Sequence, residues 1–227
     1  MRAFCERTAR VIGEAGVEKL AGACCAVFGV GGVGSYAAEA LARAGVGRLI
    51  FIDGDTVDET NLNRQLVADR TTIGRAKAEV MAERAFRVNP DCRAAAEVRF
   101  YRPGDEDFLR GLGADFVIDA VDDVPAKVSL AEACWQAGIP EASSMGTGNR
   151  LHPEMLEIAD IYKTSVCPLA RRMRRELRAR GVPRLTAVYS KEEPHHEGPG
   201  VGSVSFVPPA AGMILAGIAV RKLLEGK

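Results

Sequence analysis

Gly29-Val30-Gly31-Gly32-Val33-Gly34-Ser35 sits between the apolar run Cys24-Cys25-Ala26-Val27-Phe28 and an alanine-rich segment over residues 33–44. The apolar run reads as a short buried strand. The segment after the glycines has helical spacing and meets stop signals at Gly45 and Gly47. A glycine turn between strand and helix lets the backbone approach phosphate, and the helix N-terminus adds free N–H groups and partial positive charge. Gly29, Gly31, Gly32 and Gly34 are therefore candidate nucleotide contacts. Asp53 closes the next apolar run, Leu49-Ile50-Phe51-Ile52, at the distance where a ribose-binding acid belongs. Strand, turn, helix and acid together predict an α/β chain with a Rossmann-like, doubly wound sheet.

Charge beyond the turn bears on which nucleotide is held. A pyrophosphate is largely satisfied by backbone amides and the helix dipole, whereas a triphosphate calls for cationic side chains and a metal ion. Asp55, the polar run Asn61-Leu62-Asn63-Arg64-Gln65, and Lys77 on a helix opening near Ile73-Gly74 follow Asp53. Phe116-Val117-Ile118-Asp119-Ala120-Val121-Asp122-Asp123 then reads as a buried strand that delivers carboxylates at its C-terminal end. Ligands in open α/β sheets sit outside that end. Arg64 and Lys77 are thus candidate phosphate ligands, and Asp122 a candidate magnesium ligand.

The order GVGGVGS, FIDGDTVDETNLNRQ, IGRAKAEVMAER and VIDAVDD resembles the adenylating fold of ubiquitin-activating-type enzymes. That superfamily includes the bacterial adenylyltransferases of molybdopterin and thiamine biosynthesis. The resemblance implies binding of ATP with Mg2+ and transfer of AMP to a carboxylate, with release of pyrophosphate. It implies that Asp53 holds the ribose, Arg64 and Lys77 the phosphates and Asp122 the metal. Asp55, Asn61 and Gln65 are expected in the same pocket. Arg7, in Phe4-Cys5-Glu6-Arg7-Thr8, falls where the family supplies an arginine from the neighbouring subunit. A homodimer with composite sites follows from that resemblance.

The second half narrows the branch. Ser143-Ser144-Met145-Gly146-Thr147-Gly148-Asn149, then ADIYKTSVCPLAR over 159–171, then Val188-Tyr189-Ser190, is similar to the tRNA threonylcarbamoyladenosine dehydratases. These use ATP to cyclise the threonylcarbamoyl group on a tRNA adenosine with net loss of water. The implied partner is tRNA carrying that nucleoside, and sulfur-relay proteins are possible further partners. Glu141 departs from the pattern: an apolar residue suits a buried strand better, so a rim position is expected.

Six arginines, Arg171, Arg172, Arg174, Arg175, Arg178 and Arg180, surround Met173 and Leu177 in a chain of zero formal net charge. In a helix Arg171, Arg174, Arg175 and Arg178 share one face. That face is either a solvated surface or a footprint for tRNA phosphates.

At 227 residues and 47% hydrophobic the chain can bury a large core, and one adenylating domain over 1–227 is expected. The sheet is expected to be mostly parallel, with antiparallel strands in the less regular C-terminal half. A Gly/Pro-rich stretch near 194–202 reads as a mobile loop, and His195-His196-Glu197 within it as a weak metal candidate. The six cysteines include no CxxC pair, which opposes a tetrathiolate zinc site. Their scatter, and a charged rather than apolar N-terminus, point to the cytoplasm. Cys167 is the one cysteine expected to be exposed. Residues 201–220 carry no charge, but Pro208-Pro209 interrupts them. They read as a strand and then a buried helix over about 210–224, not as a membrane span.

Three rival functions share parts of this pattern. An adenylyltransferase activating the C-terminal carboxylate of a ubiquitin-like sulfur carrier keeps every nucleotide residue. A nicotinamide dehydrogenase leaves Arg64, Lys77 and Asp122 unexplained. A silent scaffold leaves the whole charged set without purpose.

Overall fold

The structure is a computed structural model that describes residues 3–195 and 200–225. Its centre is β1 (Cys24–Phe28), flanked by β2 (Arg48–Ile52) and β4 (Phe116–Asp119), both parallel to it. Every residue of β1 is buried, because helices cover both faces of a parallel sheet and no polar alternation is needed. Cys25 and Val27 face one core with Leu41, Phe51 and Leu215. Cys24, Ala26 and Phe28 face the other with Ile50, Val117 and Leu130. Burying each large apolar side chain fully stabilises the fold by about 1.5–3 kcal/mol.

The complete sheet has seven strands in the order β3-β2-β1-β4-β5-β7-β6, with β3 (Arg93–Glu97), β5 (Glu141–Ser144), β6 (Leu156–Asp160) and β7 (Thr186–Ser190). All pairings are parallel except β6 with β7, which closes one edge antiparallel. The chain winds outward from β1 through α2 (Gly34–Ala44) and α3 (Lys77–Val88) to β3. It then returns to β4 and winds the other way through α5 (Val124–Ala137). The strand order therefore reverses between β1 and β4, and a crevice opens at their carboxyl ends.

Local signals set these boundaries. Gly45 caps α2 at φ 93°, and Gly138 caps α5 at φ 67°. Asp123 caps the start of α5 by accepting the Ala126 N–H at 2.9 Å. The N-terminal α1 (Glu6–Gly22) is kinked where Gly13 leaves helical geometry at φ 76°. Two further helices are the short α4 (Glu106–Gly111) and α6 (Pro168–Ala179). Met173 and Leu177 anchor α6 in a third core with Met145 and Tyr189.

The C-terminal stretch departs from expectation. No strand forms over residues 201–206, and the last helix, α7 (Val207–Glu225), begins three residues early. Both prolines fit because they fall in the first turn, where backbone N–H groups have no intrahelical acceptor. By length and composition α7 is apolar enough to cross a membrane. Here Ala211, Leu215, Ala216 and Ala219 bury one side of it in the main core. Gly212 lets α7 meet α2 closely, since a Cβ there would fall 2.3 Å from the Val33 carbonyl oxygen.

Candidate active site

The glycine turn at the end of β1 is shaped by backbone contact. Gly29 has φ 81°, and a Cβ on it would lie 2.6 Å from the Ala120 carbonyl oxygen. A Cβ on Gly34 would lie 1.8 Å from the Gly29 oxygen. No side chain fits either place, so β1, α2 and the loop after β4 converge tightly. Gly29, Gly31 and Gly32 line the cavity above, whereas Gly34 packs beneath the turn. Ser35 braces the turn by donating to the Gly31 carbonyl at 2.6 Å and accepting the Leu66 N–H at 3.1 Å.

The cavity measures about 1050 Å³, at the top of the usual range of roughly 300–1,000 Å³ for small-molecule sites. That volume leaves room beside a nucleotide for a second reactant. Asp53, Asp55, Arg64, Gln65, Lys77 and Asp122 all line it. The Asp53 carboxylate accepts the Val30 N–H of the glycine turn at 2.6 Å and the Asp55 N–H at 2.8 Å. Burial pushes its pKa above the usual carboxylate value, opposed by those two N–H groups and the Lys77 charge. Lys77, the first residue of α3, is itself buried and donates to Asp55 at 3.0 Å.

Arg64 reaches the cavity with its guanidinium donating only to the Thr60 carbonyl and the Asn63 side chain, at 3.0 and 2.9 Å. It has no carboxylate partner among the described residues. Gln65 is buried, and its Oε1 has no hydrogen-bond partner. Asp122 is exposed into the cavity, and its side chain makes none of the loop's hydrogen bonds. The carboxylates beside it are committed: Asp123 caps α5, and Asp119 is fully buried against Lys127. A hard cation bridging phosphates suits one available carboxylate beside two cationic side chains, so this donor set fits magnesium.

Several expected residues lie elsewhere. Asn61 does not line the cavity; its Oδ1 accepts the Asp58 N–H at 3.1 Å and completes a capping box. Arg7 is exposed on the first turn of α1, outside the cavity lining of its own chain. Cys167 is buried, contrary to expectation, because it starts α6 and packs into the third core. It still forms part of the cavity wall. On α6, Arg171 and Arg175 are exposed, Arg178 stacks over Tyr162 at 5.2 Å, and Arg174 is tied to the Thr164 backbone oxygen at 2.9 Å. His196 and Glu197, and part of the 194–202 stretch, lie outside the described residues.

A buried polar network beneath the cavity was not foreseen. Lys127 donates to Asp119 at 2.6 Å and to Ser143 at 3.0 Å, and the Ser143 hydroxyl also donates to Asp119 at 2.6 Å. The other Asp119 oxygen accepts the Val121 N–H at 3.1 Å, shaping the loop that carries Asp122. Glu141 does not stand at a rim: it lies close enough to feel the Asp119 and Lys127 charges, with its Oε1 buried and without a hydrogen-bond partner among the described residues. Burial first, and then the Asp119 charge, push its pKa well above the carboxylate range. A lone lysine in the mostly apolar stretch VPAKVSLA was the sequence signal for the network. Arg150 was also overlooked: it is buried, lines the cavity, and its Nε has no hydrogen-bond partner among the described residues.

An open α/β sheet with a glycine turn, cationic side chains and a free acid at its switch point defines a nucleotide-binding protein with a second reactant's space alongside. Residues 5–225 match the ThiF family, and the chain belongs to it. It is similar to the tRNA threonylcarbamoyladenosine dehydratase of Bacillus subtilis, 40% identical over 96% of this chain and 94% of that protein. It is 42% identical to the Escherichia coli enzyme of that name over 76% of this chain, an alignment spanning 64% of that protein. The crystal structure of the E. coli enzyme in complex with ATP superposes with a TM-score of 0.91 and 37% identity, covering 96% of this chain and 93% of that one. Its complex with AMP gives the same TM-score.

Proposed function

We propose that this protein is an ATP-dependent tRNA threonylcarbamoyladenosine dehydratase that works through an acyl-adenylate. The observation that carries the reading is the meeting of Arg64, Lys77 and Asp122 around the glycine turn in a cavity larger than one nucleotide needs. Likeness over nearly the full length of the B. subtilis enzyme supports the same reading.

ATP lies with its phosphates over the glycine turn and its ribose against Asp53. Magnesium, held by Asp122, would offset phosphate charge. The threonyl carboxylate attacks the α-phosphorus and pyrophosphate leaves, while Arg64 and Lys77 stabilise the developing negative charge. The carbamoyl group of the same nucleoside then attacks the activated carboxyl, closing the ring and expelling AMP. Oriented partners in one molecule reach effective molarities of about 10⁵ M or more, so no covalent cysteine intermediate is required. Burial of Cys167 fits that economy. Arg150 meets the acceptor's negative charge on the far side of the cavity.

Arg7 acts from the partner subunit of a homodimer, which accounts for its distance from the lining of its own cavity. Arg171 and Arg175 face the tRNA backbone. The domain spans 1–227, and six buried cysteines with no framework spacing suit a reducing cytoplasm. The deciding experiment incubates the protein with ATP and tRNA carrying threonylcarbamoyladenosine, followed by nucleoside mass analysis. Loss of the mass of one water with AMP release is expected; ATP-dependent adenylation of a sulfur-carrier protein in its place would overturn the reading. Mixing Arg7→Ala with Lys77→Ala subunits should restore part of the activity, and no recovery after confirmed subunit exchange would place Arg7 in cis.

A further inference from the structure

The chain has three histidines, and two of them, His152 and His195, converge on one carboxylate. Glu192 is buried, yet it is not spent on a lysine or arginine. Its Oε2 accepts the His152 N–H at 2.9 Å, both oxygens accept the Leu151 N–H at 3.0–3.1 Å, and its Oε1 meets His195 Nε2 at 2.5 Å. One ligand atom from each of His152, Glu192 and His195 lies within 4.8 Å of the others. The two imidazole rings sit 6.3 Å apart, centroid to centroid.

From this constellation we propose a surface metal site, formed by His152, Glu192 and His195, that takes a divalent transition-metal ion of the zinc class. Donors at about 2.0–2.1 Å around a tetrahedral ion stand roughly 3.4 Å apart. The donors here stand within 4.8 Å of one another, with both histidines half exposed and the carboxylate buried. His152 also carries the feature that tunes metal ligands. Its Nδ1 bonds the Glu154 carboxylate at 2.8 Å, which orients the ring and leaves Nε2 to ligate. Two imidazoles and one carboxylate favour zinc over magnesium or calcium, which prefer all-oxygen sets. The fourth position is left for water.

The location gives the site a consequence. It ties residues 192–195 to 149–154, and Asn149, Arg150 and Pro194 from these segments line the cavity. The His195 N–H already donates to the Asn149 carbonyl at 2.9 Å, and the Asn149 side chain accepts the Gly202 N–H at 2.6 Å. A bound ion pins this wall where the second reactant enters. The site does not depend on which acceptor the cavity takes.

The test is calorimetric titration of the chelator-stripped full chain with zinc chloride, paired with thermal unfolding. One equivalent per chain is expected, with a higher unfolding temperature in its presence. His152→Ala/His195→Ala should abolish that equivalent while leaving the metal-free unfolding temperature near that of the parent, and Glu154→Gln should weaken binding by about 10-fold. Glu192→Gln is the less informative variant, since it disturbs two backbone hydrogen bonds. Absence of saturable zinc binding in the parent, or binding unchanged in the double histidine variant, would overturn the proposal.

Discussion

The two walls of the cavity are built on different principles. The nucleotide wall comes from the carboxyl ends of β1, β2 and β4, where short turns hang from buried strands and every lining carboxylate but Asp122 has a fixed partner. Asp53 grips the glycine turn, Asp55 grips Lys77, and Asp119 grips Lys127. The opposite wall comes from the loops over residues 144–152, 164–168 and 191–203. Many of its polar groups are held by backbone atoms, and Arg150 Nε has no hydrogen-bond partner among the described residues. A wall of paired charges is organised before its ligand arrives. A wall with orphaned donors is completed by the ligand, and variants on the two sides should fail in different ways.

The largest effect is expected beneath the nucleotide wall. Lys127→Ala leaves the fully buried Asp119 carboxylate without its counter-charge, which costs about 3–5 kcal/mol of stability. A fall in unfolding midpoint in denaturant measures it. Lys127→Met with Asp119→Asn removes both charges and keeps an acceptor for the Val121 N–H, so it should recover much of the loss. If the double variant is no more stable than the single one, the pair is not what holds this floor.

Next comes chemistry at the nucleotide wall. Lys77→Ala should cost about 3–4 kcal/mol in transition-state stabilisation, a loss of roughly 10²–10³ in turnover. Its folding should suffer little, since Asp55 is largely exposed once unpaired. Exchange of labelled pyrophosphate into ATP, driven by the tRNA substrate, isolates this step. Turnover within a few-fold of the parent would remove Lys77 from the phosphate site.

The contrast between the walls also explains what the sequence made legible. Strand, turn and helix periodicities are local, so β1, α2, β2 and α3 could be read with their glycines and Asp53. The stretch after Asp119 announced its carboxylates but not their division of labour. That division depends on Lys127, eight residues along, and Ser143, on the next strand. Asn61 looked like a pocket residue because it sits in a polar run, yet its side chain serves a capping box within three residues. The loop wall gave no periodic signal. Glu192 acts through the backbone N–H groups of Leu151 and His152, 41 and 40 residues away, and Cys167 was expected to be exposed because its neighbours are polar. The antiparallel edge fell in the C-terminal half, as expected, whereas the early start of α7 at two prolines was settled by packing that no single segment encodes.

On the loop wall a smaller and more selective effect is expected. Arg150→Gln removes a cation but keeps a hydrogen-bonding head. Removing one charge-assisted hydrogen bond to the acceptor should cost about 1.5–3 kcal/mol, read as a rise in KM for tRNA of roughly 10- to 100-fold. ATP affinity should stay unchanged, because the nucleotide wall is organised without this residue. An equal loss of ATP affinity would show that the two walls are not independent.

The smallest effect, and the sharpest test of how far the acceptor surface extends, lies on α6. Arg171 and Arg175 are exposed and point outward at i, i+4 spacing, with Arg175 held only by its neighbour Glu176. Arg174, between them, is tied back to Thr164 and braces the segment ahead of the helix. Spacing alone groups all three, but the outward pair can meet phosphate at no more cost than the exposed Arg175–Glu176 contact, whereas Arg174 would have to leave Thr164. Deleting one arginine that neutralises a phosphate should reduce the slope of log affinity against log salt by roughly 0.7–0.9. The variant Arg171→Ala/Arg175→Ala should therefore bind tRNA more weakly with a slope shallower by about 1.5. Arg174→Ala should leave the slope alone and lower the unfolding temperature instead. A full shift in slope from Arg174→Ala, with none from the outward pair, would reverse these roles and move the tRNA path to the Thr164 side of the helix.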